Sequence, residues 1–180
     1  MTPAQRRASV ARMNRNRGPA RSGPSLVDRG FQLAYLGAYR MMRVYWTLRR
    51  PTTHGALVAL WSGGEVLLVR NSYVPYYCLP GGYLRRGETA QEAALRELRE
   101  EVGVAAMGEQ LARVLDHHHE WEGKHDHVEI FALELSSRPE VEIDHREVVE
   151  AAWWVPERAL SLRLFPPVRQ MLEQTKRPAS

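Results

Sequence analysis

The sequence predicts a mixed α/β (α+β) domain with a basic helical extension at its N-terminus. Three features of the 180 residues indicate this fold class: apolar runs of strand length, one amphipathic helix between them, and a second helical segment before them. Apolar residues make up 44% of the chain, enough to bury a core. The single cysteine, Cys78, excludes an intrachain disulfide framework and a four-cysteine zinc site. Every apolar stretch long enough to cross a bilayer is interrupted by charge, so no membrane-spanning helix is predicted.

Charge is divided unevenly along the chain. Residues 1–50 hold eleven arginines and one acid, Asp28, whereas residues 51–180 hold 14 bases and 20 acids. Residues 1–25 are rich in Arg, Pro, Gly and Ser and are predicted to be a disordered basic arm. Three roles for this arm stay open: an organelle transit peptide, a phosphate-binding arm for nucleic acid or an anionic membrane surface, or a solvated tail without a specific role.

Residues 26–50 are predicted to form a basic amphipathic helix. Ser25 and Asp28 have the spacing of a capping box, and the proline after residue 50 ends the run. Gly30 and Gly37 argue against one unbroken helix. We expect its apolar stripe to pack against the domain or against a second copy of the chain in a homodimer, with a membrane surface as the alternative. The stripe consists of Phe31, Ala34, Tyr35, Ala38, Met41, Met42 and Tyr45.

The main domain is predicted over residues 51–175, followed by a tail over 176–180. Apolar runs, turn residues and prolines mark its elements. These are a hairpin over 55–70, a second hairpin over 111–135 that turns near 122–124, a short strand over 151–155, a turn over 157–161, and a terminal helix from Pro167.

A helix between the two hairpins has clear start and stop signals. Thr89 and Glu92 form a capping box, so the helix is predicted to begin near Ala90, and Gly103 marks its end. The predicted buried stripe consists of Leu95, Leu98 and Val102.

Three carboxylates crowd one face of this helix. Glu97, Glu100 and Glu101 stand at i, i+3 and i+4, a spacing at which like charges destabilise an isolated helix by a few tenths of a kcal/mol per pair. A hard divalent cation would neutralise them, because carboxylate oxygens are its preferred ligands. The alternative is a solvated acidic face with Arg96 and Arg99 as counter-charges.

The segment from residue 82 to residue 104 resembles the Nudix box at every defining position. The matching residues are Gly82, Glu88, Arg96, Glu97, Leu98, Glu100, Glu101, Gly103 and Val104. The resemblance implies an α/β/α sandwich around a mixed β-sheet. It also implies a Mg²⁺- or Mn²⁺-dependent pyrophosphohydrolase that acts on a nucleoside diphosphate linked to another moiety. The alternative is a non-catalytic module of the same fold that binds a nucleotide or a partner through the basic arm.

The resemblance also implies roles within the box. Glu100 and Glu101 are implied as metal ligands, and Glu97 as a ligand or as the base that deprotonates water. Arg96 resembles the arginine that orients a glutamate, and Glu88 would support the metal shell from the loop.

Residues around the box complete the implied site. Gly81 and Gly82 would let the loop backbone approach the substrate. In some family members a glutamate from a later loop serves as base or ligand, and Glu147 and Glu150 both stand where it would come from. Trp121 is a candidate for stacking on a base, as are Tyr76 and Tyr77, with core packing as the alternative for each.

Two signals carry less specific information. Five histidines crowd the second hairpin, but strand alternation splits them between faces and no cysteine joins them, which disfavours a zinc site. They are His117, His118, His119, His125 and His127.

The markers that distinguish substrates in this family are absent, so only a nucleotide-like diphosphate is implied. We expect a cytoplasmic location, since a single cysteine fits a reducing compartment.

Overall fold

The computed structural model describes residues 25–141, 143 and 145–175. Nearly all of the predicted arm and tail therefore lie outside the described residues. The elements are α1 (Leu26–Arg49), β1 (Thr52–Ser62), β2 (Glu65–Asn71), β3 (Gly81–Tyr83), α2 (Ala90–Val102), β4 (Ala112–Trp121), β5 (Lys124–Glu134), β6 (Val148–Trp154), α3 (Pro156–Ala159) and α4 (Pro166–Thr175), with a 3₁₀ turn at Gly108–Gln110.

The six strands form one mixed sheet. The strand order is β4-β5-β1-β2-β6, and β3 pairs with the beginning of β1. β1 and β5 run parallel, from Thr52 opposite His125 to Trp61 opposite Glu134, and the other neighbours run antiparallel. Both predicted hairpins are confirmed, and the mixed sheet confirms the predicted fold class.

A helix covers each face of the sheet. On one face, α2 buries Leu98 and Val102 against the strands, together with three alanines from its first turns. On the other face, α4 buries Val168 and Leu172. Apolar side chains alternate along β1 and β5, so each strand contributes to both cores. The α/β/α sandwich implied by the sequence is therefore present.

Helix α1 is one unbroken helix of 24 residues. Ser25 and Asp28 form the expected capping box, and Arg50 ends the helix in the left-handed conformation at φ 45°. The predicted helix is confirmed, and Gly30 and Gly37, which argued against one unbroken helix, do not interrupt it. An added Cβ at Gly30 or Gly37 would meet nothing within 4 Å, so neither glycine is required by packing.

The inner side of α1 lies against the domain. Trp46 is buried, and the Tyr39 hydroxyl donates a hydrogen bond to Glu122 in the β4–β5 turn. Gly123, at φ 83°, lies so close to α1 that an added Cβ would stand 2.9 Å from the Thr47 Cα atom. At the other end, the Gln32 amide donates to a backbone carbonyl before β6 at 2.8 Å. These contacts hold the helix along its whole length.

The predicted apolar stripe of α1 is partly wrong. Tyr35 faces the domain, and Met42 does so while remaining 44% exposed, but Met41 and Tyr45 are exposed without facing it. The segment over 157–161, predicted to be a turn, instead begins within the short helix α3. None of the helices within the described residues combines the length and apolarity needed to span a bilayer.

We expect Leu98→Ala to lower the free energy of unfolding by about 2–5 kcal/mol, because it opens a cavity under α2 in a fully buried position. Urea unfolding followed by far-UV circular dichroism measures the change. Leu48→Ala is the matched control, since Leu48 is 78% exposed and its truncation should alter stability by about 0.5 kcal/mol or less. Equal losses in the two variants would contradict the assigned core.

Candidate active site

A cavity of about 730 Å³ opens beside the N-terminal end of β3. It is lined by α1, the start of β1, the loop after β2, the glycine loop with α2, the β4–β5 turn, the start of β5, the segment before β6, and Phe165. The cavity therefore brings together regions that are distant in sequence. The predicted site residues that line it are Gly81, Gly82, Arg96, Glu97, Glu100, Glu101, Trp121 and Glu147.

The two glycines of the loop allow the backbone to pack where a side chain would not fit. Gly81 has φ 149°, and an added Cβ would lie 2.2 Å from the Ala56 carbonyl oxygen of β1. An added Cβ at Gly82 would lie 2.6 Å from Oε1 of Glu97. The Gly81 amide also donates a hydrogen bond to Glu101 at 2.9 Å. The loop backbone thus lies directly against two of the box carboxylates.

Arg96 organises the carboxylates around it. Its guanidinium makes a bidentate pair with Glu88, with Nε–Oε1 and Nη2–Oε2 distances of 2.8 and 3.0 Å. Nη1 donates to Glu97 and, at 3.3 Å, to Glu100. Nη2 also donates to the Tyr83 carbonyl at 3.2 Å, which ties α2 to β3. The side chain of Arg96 is only 14% exposed, so it helps to hold the packing of this region as well as to neutralise the carboxylates.

These contacts change the ionisation of the pair. Hydrogen bonds from Arg96 and from the Arg85 amide lower the pKa of Glu88 to about 2, because they stabilise its charged form. The same contact with Glu88 raises the pKa of Arg96. Both groups are therefore charged throughout the physiological range, and Glu88 is an acceptor rather than a proton donor.

The three box glutamates differ in exposure and partners. Glu97 is held by Arg96 and Glu101 by the Gly81 amide, whereas Glu100 is about half exposed and pairs with Arg85 at 3.3 Å. All three line the cavity. Three carboxylates beside a close-packed glycine backbone form an oxygen donor set that suits a hard divalent ion.

The structure distinguishes the two later glutamates. Glu147 lines the cavity, and its Oε1 accepts a hydrogen bond from the Tyr73 hydroxyl at 2.9 Å. Glu150 lies outside the cavity lining, where it pairs with Arg70 at 3.1 Å and accepts from Tyr77 at 2.8 Å. Only Glu147 of this pair is therefore positioned to reach a molecule in the cavity.

Aromatic side chains form another part of the cavity wall. Trp121 meets Tyr76 edge-on at 5.9 Å and Phe165 at 5.6 Å between ring centroids. α1 supplies further cavity residues, among them Tyr39 and Trp46. Tyr77, a candidate for stacking on a base, packs edge-on against Trp154 instead and is absent from the cavity lining.

Sequence reasoning missed a buried ion pair in the cavity. Lys124 is 2% exposed, donates to Asp126, and lies 5.2 Å from the centroid of the Trp46 ring. Asp126 also accepts from the Thr53 hydroxyl at 2.6 Å. The alternation of β5 contained the signal, because positions 124 and 126 share a face with the buried Val128.

The histidines of the second hairpin are divided between the two faces, as predicted. His118 and His127 stack at 3.8 Å, and His54 of β1 stacks on His127 at 3.9 Å. With Asp116 and Glu129 they form two sets of three possible ligand atoms within 4.8 Å of one another. None of these five residues lines the cavity. Arg113 already pairs with both carboxylates, at 3.3 and 3.0 Å.

Comparisons with known proteins agree with this geometry. A model of the NUDIX domain matches residues 51–175. The uncharacterized Nudix hydrolase orf19 of Rhodococcus erythropolis is 31% identical over 114 residues, which cover 57% of this chain and 61% of that protein. A putative 8-oxo-dGTP diphosphatase of Bacillus subtilis (strain 168) is 47% identical over 55 residues, 30% of this chain and 37% of that protein. The alignments thus span less than two thirds of either relative.

Solved structures share the fold. A MutT protein from Methanosarcina mazei Go1 superposes with a TM-score of 0.61 at 22% identity, covering 72% of this chain and 99% of that one. An Ap4A hydrolase of C. elegans superposes with a TM-score of 0.59 at 25% identity, covering 68% and 94%. The family model covers more than half of the chain, and the acidic box lines the cavity, so this protein belongs to the Nudix family.

Proposed function

We propose that this protein is a divalent-metal-dependent hydrolase of a phosphoanhydride bond in a nucleoside diphosphate linked to another moiety. One observation supports this most strongly. The box carboxylates Glu97, Glu100 and Glu101 and the close-packed glycine loop stand in the same cavity as a cluster of aromatic side chains. Carboxylates suit the metal–diphosphate portion of such a substrate, and aromatic rings suit the face of a base.

Glu97, Glu100 and Glu101 would hold Mg²⁺ or Mn²⁺. The metal would neutralise the negative oxygens around phosphorus and activate the attacking water. Arg96 binds Glu97 and Glu100 and so restrains both side chains. Through its bidentate contact with Glu88 it also holds α2 in place against the glycine loop. Arg96 therefore acts as a positioning residue, since its guanidinium is already held by carboxylates.

The walls of the cavity account for recognition of the rest of the substrate. Trp121, Tyr76 and Phe165 form a connected aromatic cluster against which a base can stack. Lys124 and Asp126 contribute a buried ion pair to the same cavity. Gly81 and Gly82 keep side chains away from the place where the diphosphate would meet the loop.

Glu147 is the proposed acceptor of a proton from the attacking water. It faces the cavity, and its partner Tyr73 has a raised pKa because of burial and the nearby Glu147 charge, so this phenol remains a neutral donor. We assign this role to Glu147 rather than to Glu150, because Arg70 and Tyr77 bind Glu150 outside the cavity lining. The cytoplasmic location remains a prediction.

Replacing Glu100 or Glu101, two of the three proposed metal ligands, should abolish turnover. We expect Glu100→Gln and Glu101→Gln to lower metal-dependent phosphate release by more than the roughly 10–100-fold that loss of an outer-shell partner costs. The assay uses nucleoside triphosphates, ADP-ribose, sugar nucleotides and dinucleoside polyphosphates, with and without Mg²⁺ or Mn²⁺, and a phosphatase to reveal new monoesters. Glu109→Gln, an exposed glutamate outside the cavity lining, is the matched control and should retain full activity.

The same panel separates hydrolysis from binding alone. A folded wild-type protein that shows ligand-induced rises in Tm but no metal-dependent turnover would favour the non-catalytic binding module. Full activity in both glutamine variants would contradict the proposed ligand set.

A second pair of variants tests the proton acceptor. Glu147→Gln should lower kcat by about 10²–10⁴-fold with little change in KM, since the amide can still accept from Tyr73 but cannot take up a proton. The residual rate should rise with pH as hydroxide replaces the missing base. Glu150→Gln should keep kcat within a few-fold of the wild type. The reverse pattern would assign the role to Glu150.

Thiol reactivity provides a pH-dependent test of the cavity. Burial raises the pKa of Cys78 to about 12, which keeps the thiol neutral below that pH and unsuited to act as a nucleophile. At pH 8, iodoacetamide should therefore label the folded protein on the order of a thousandfold more slowly than the urea-unfolded chain, as measured by mass spectrometry. Equal rates would show that the thiol is exposed in the folded protein.

A further inference from the structure

The outer side of α1 is an exposed apolar surface. Of the twelve large hydrophobic side chains exposed among the described residues, nine lie on this one helix. We call five of them the outer stripe: Leu26, Leu33, Met41, Val44 and Leu48. Their exposed fractions range from 62% to 85%. Clusters of this kind on a protein surface mark a place where another surface binds.

The periodicity of the outer stripe shows that it is one continuous face. Steps of seven, eight, three and four residues separate its members, so all five lie along the same side of the helix. Gly30 and Gly37 fall on this side too, where an added Cβ would meet nothing within 4 Å. The domain cannot cover this face, because the opposite side of α1 already carries Tyr39 and Trp46 against it.

Positive charge surrounds the outer stripe. Exposed arginines stand along α1 and at its C-terminal end: Arg29, Arg40, Arg43, Arg49 and Arg50. The acid of the helix, Asp28, is paired with Arg146 at 3.2 Å. Residues 1–24 add six arginines and no acid to the sequence that leads into the helix. The chemistry is therefore an apolar stripe with a basic border.

This chemistry selects among partners. A second copy packed on the outer stripe would bring two arginine-bordered helices together, and like charges would oppose that association. RNA phosphates would bind the arginines, but RNA offers no apolar surface on which the leucine and methionine side chains could be buried. An anionic bilayer surface matches both the apolar stripe and its basic border. Its headgroup phosphates bind the arginines, and the boundary of the acyl chains takes up the apolar side chains.

We infer that α1 lies flat on an anionic lipid bilayer, with the outer stripe inserted at the boundary between headgroups and acyl chains. With 24 residues, the helix extends about 36 Å along that surface. Its inner side lines the catalytic cavity, so binding would hold the cavity next to the membrane surface. This inference does not depend on the proposed function, since lipid binding is measured without substrate.

Vesicle co-sedimentation of the full-length protein tests the inference. We expect binding to vesicles of phosphatidylcholine mixed with phosphatidylglycerol and much weaker binding to phosphatidylcholine alone, with affinity falling as salt is added. Met41→Glu should weaken binding to the mixed vesicles by about tenfold or more, since it places a charge in the apolar boundary next to anionic lipid. Arg40→Gln should weaken it about fivefold, through the loss of one surface charge.

The matched control is Met107→Glu, the same substitution at a methionine that is 65% exposed and lies outside α1. It should bind the mixed vesicles as the wild type does. Equal losses in the Met41 and Met107 variants would overturn the inference, as would equal binding to both kinds of vesicle.

Two further outcomes would also overturn it. In the first, the wild-type protein does not bind vesicles and is a dimer by sedimentation velocity, and Met41→Glu makes it monomeric. That result would show that the outer stripe binds a second copy of the chain. The other is salt-sensitive binding to single-stranded RNA without vesicle binding, which would assign the basic border to nucleic acid.

Discussion

The site depends on one largely covered cation, Arg96, which is surrounded by carboxylates. Three glutamates on adjacent turns of α2 and a fourth in the preceding loop repel one another, and the repulsion would loosen the helix and the loop together. Arg96 offsets it by contacting Glu88, Glu97 and Glu100 while it also donates to the Tyr83 carbonyl. Because the guanidinium is planar and has five donors, one side chain can serve several acceptors at once. The carboxylates are thus held together before any metal is present.

The same constraint explains one of the two glycines in the loop. Arg96 brings Glu97 against the loop backbone, and the resulting approach leaves no space for a Cβ at Gly82. On the other side of the loop, Gly81 packs against β1 at a positive φ. The loop is therefore fixed between a strand and a charged helix. Its backbone amide can donate to Glu101 because no side chain intervenes.

How far the sequence predicted this arrangement depends on the range of the interactions. The caps of α2 and the spacing of its carboxylates are local, so they were predictable. The choice between Glu147 and Glu150 was not, because β6 pairs with β2 through a register shift at Arg70 and Asn71. A shift of this kind breaks the alternation that would otherwise assign side chains to faces.

Helix α1 shows a different limit. Apolar residues lie on two of its sides, and periodicity alone does not say which side meets the domain. The distinction comes from tertiary contacts: Tyr39 with Glu122, Trp46 with Lys124, and the glycine turn against Thr47. Lys124 was missed for the same reason, since a lysine beside a turn resembles a solvated residue until an aromatic helix covers it.

The extension makes the cavity of this chain different from what the matched domain alone would form. The family match begins at residue 51, yet Tyr35, Tyr39, Met42 and Trp46 line the cavity from outside that range. A substrate that fills the cavity must therefore contact a helix that the matched domain does not include. We therefore assign the two sides of α1 separate roles: the inner side lines the cavity, and the outer side carries the exposed apolar stripe that we propose to contact lipid.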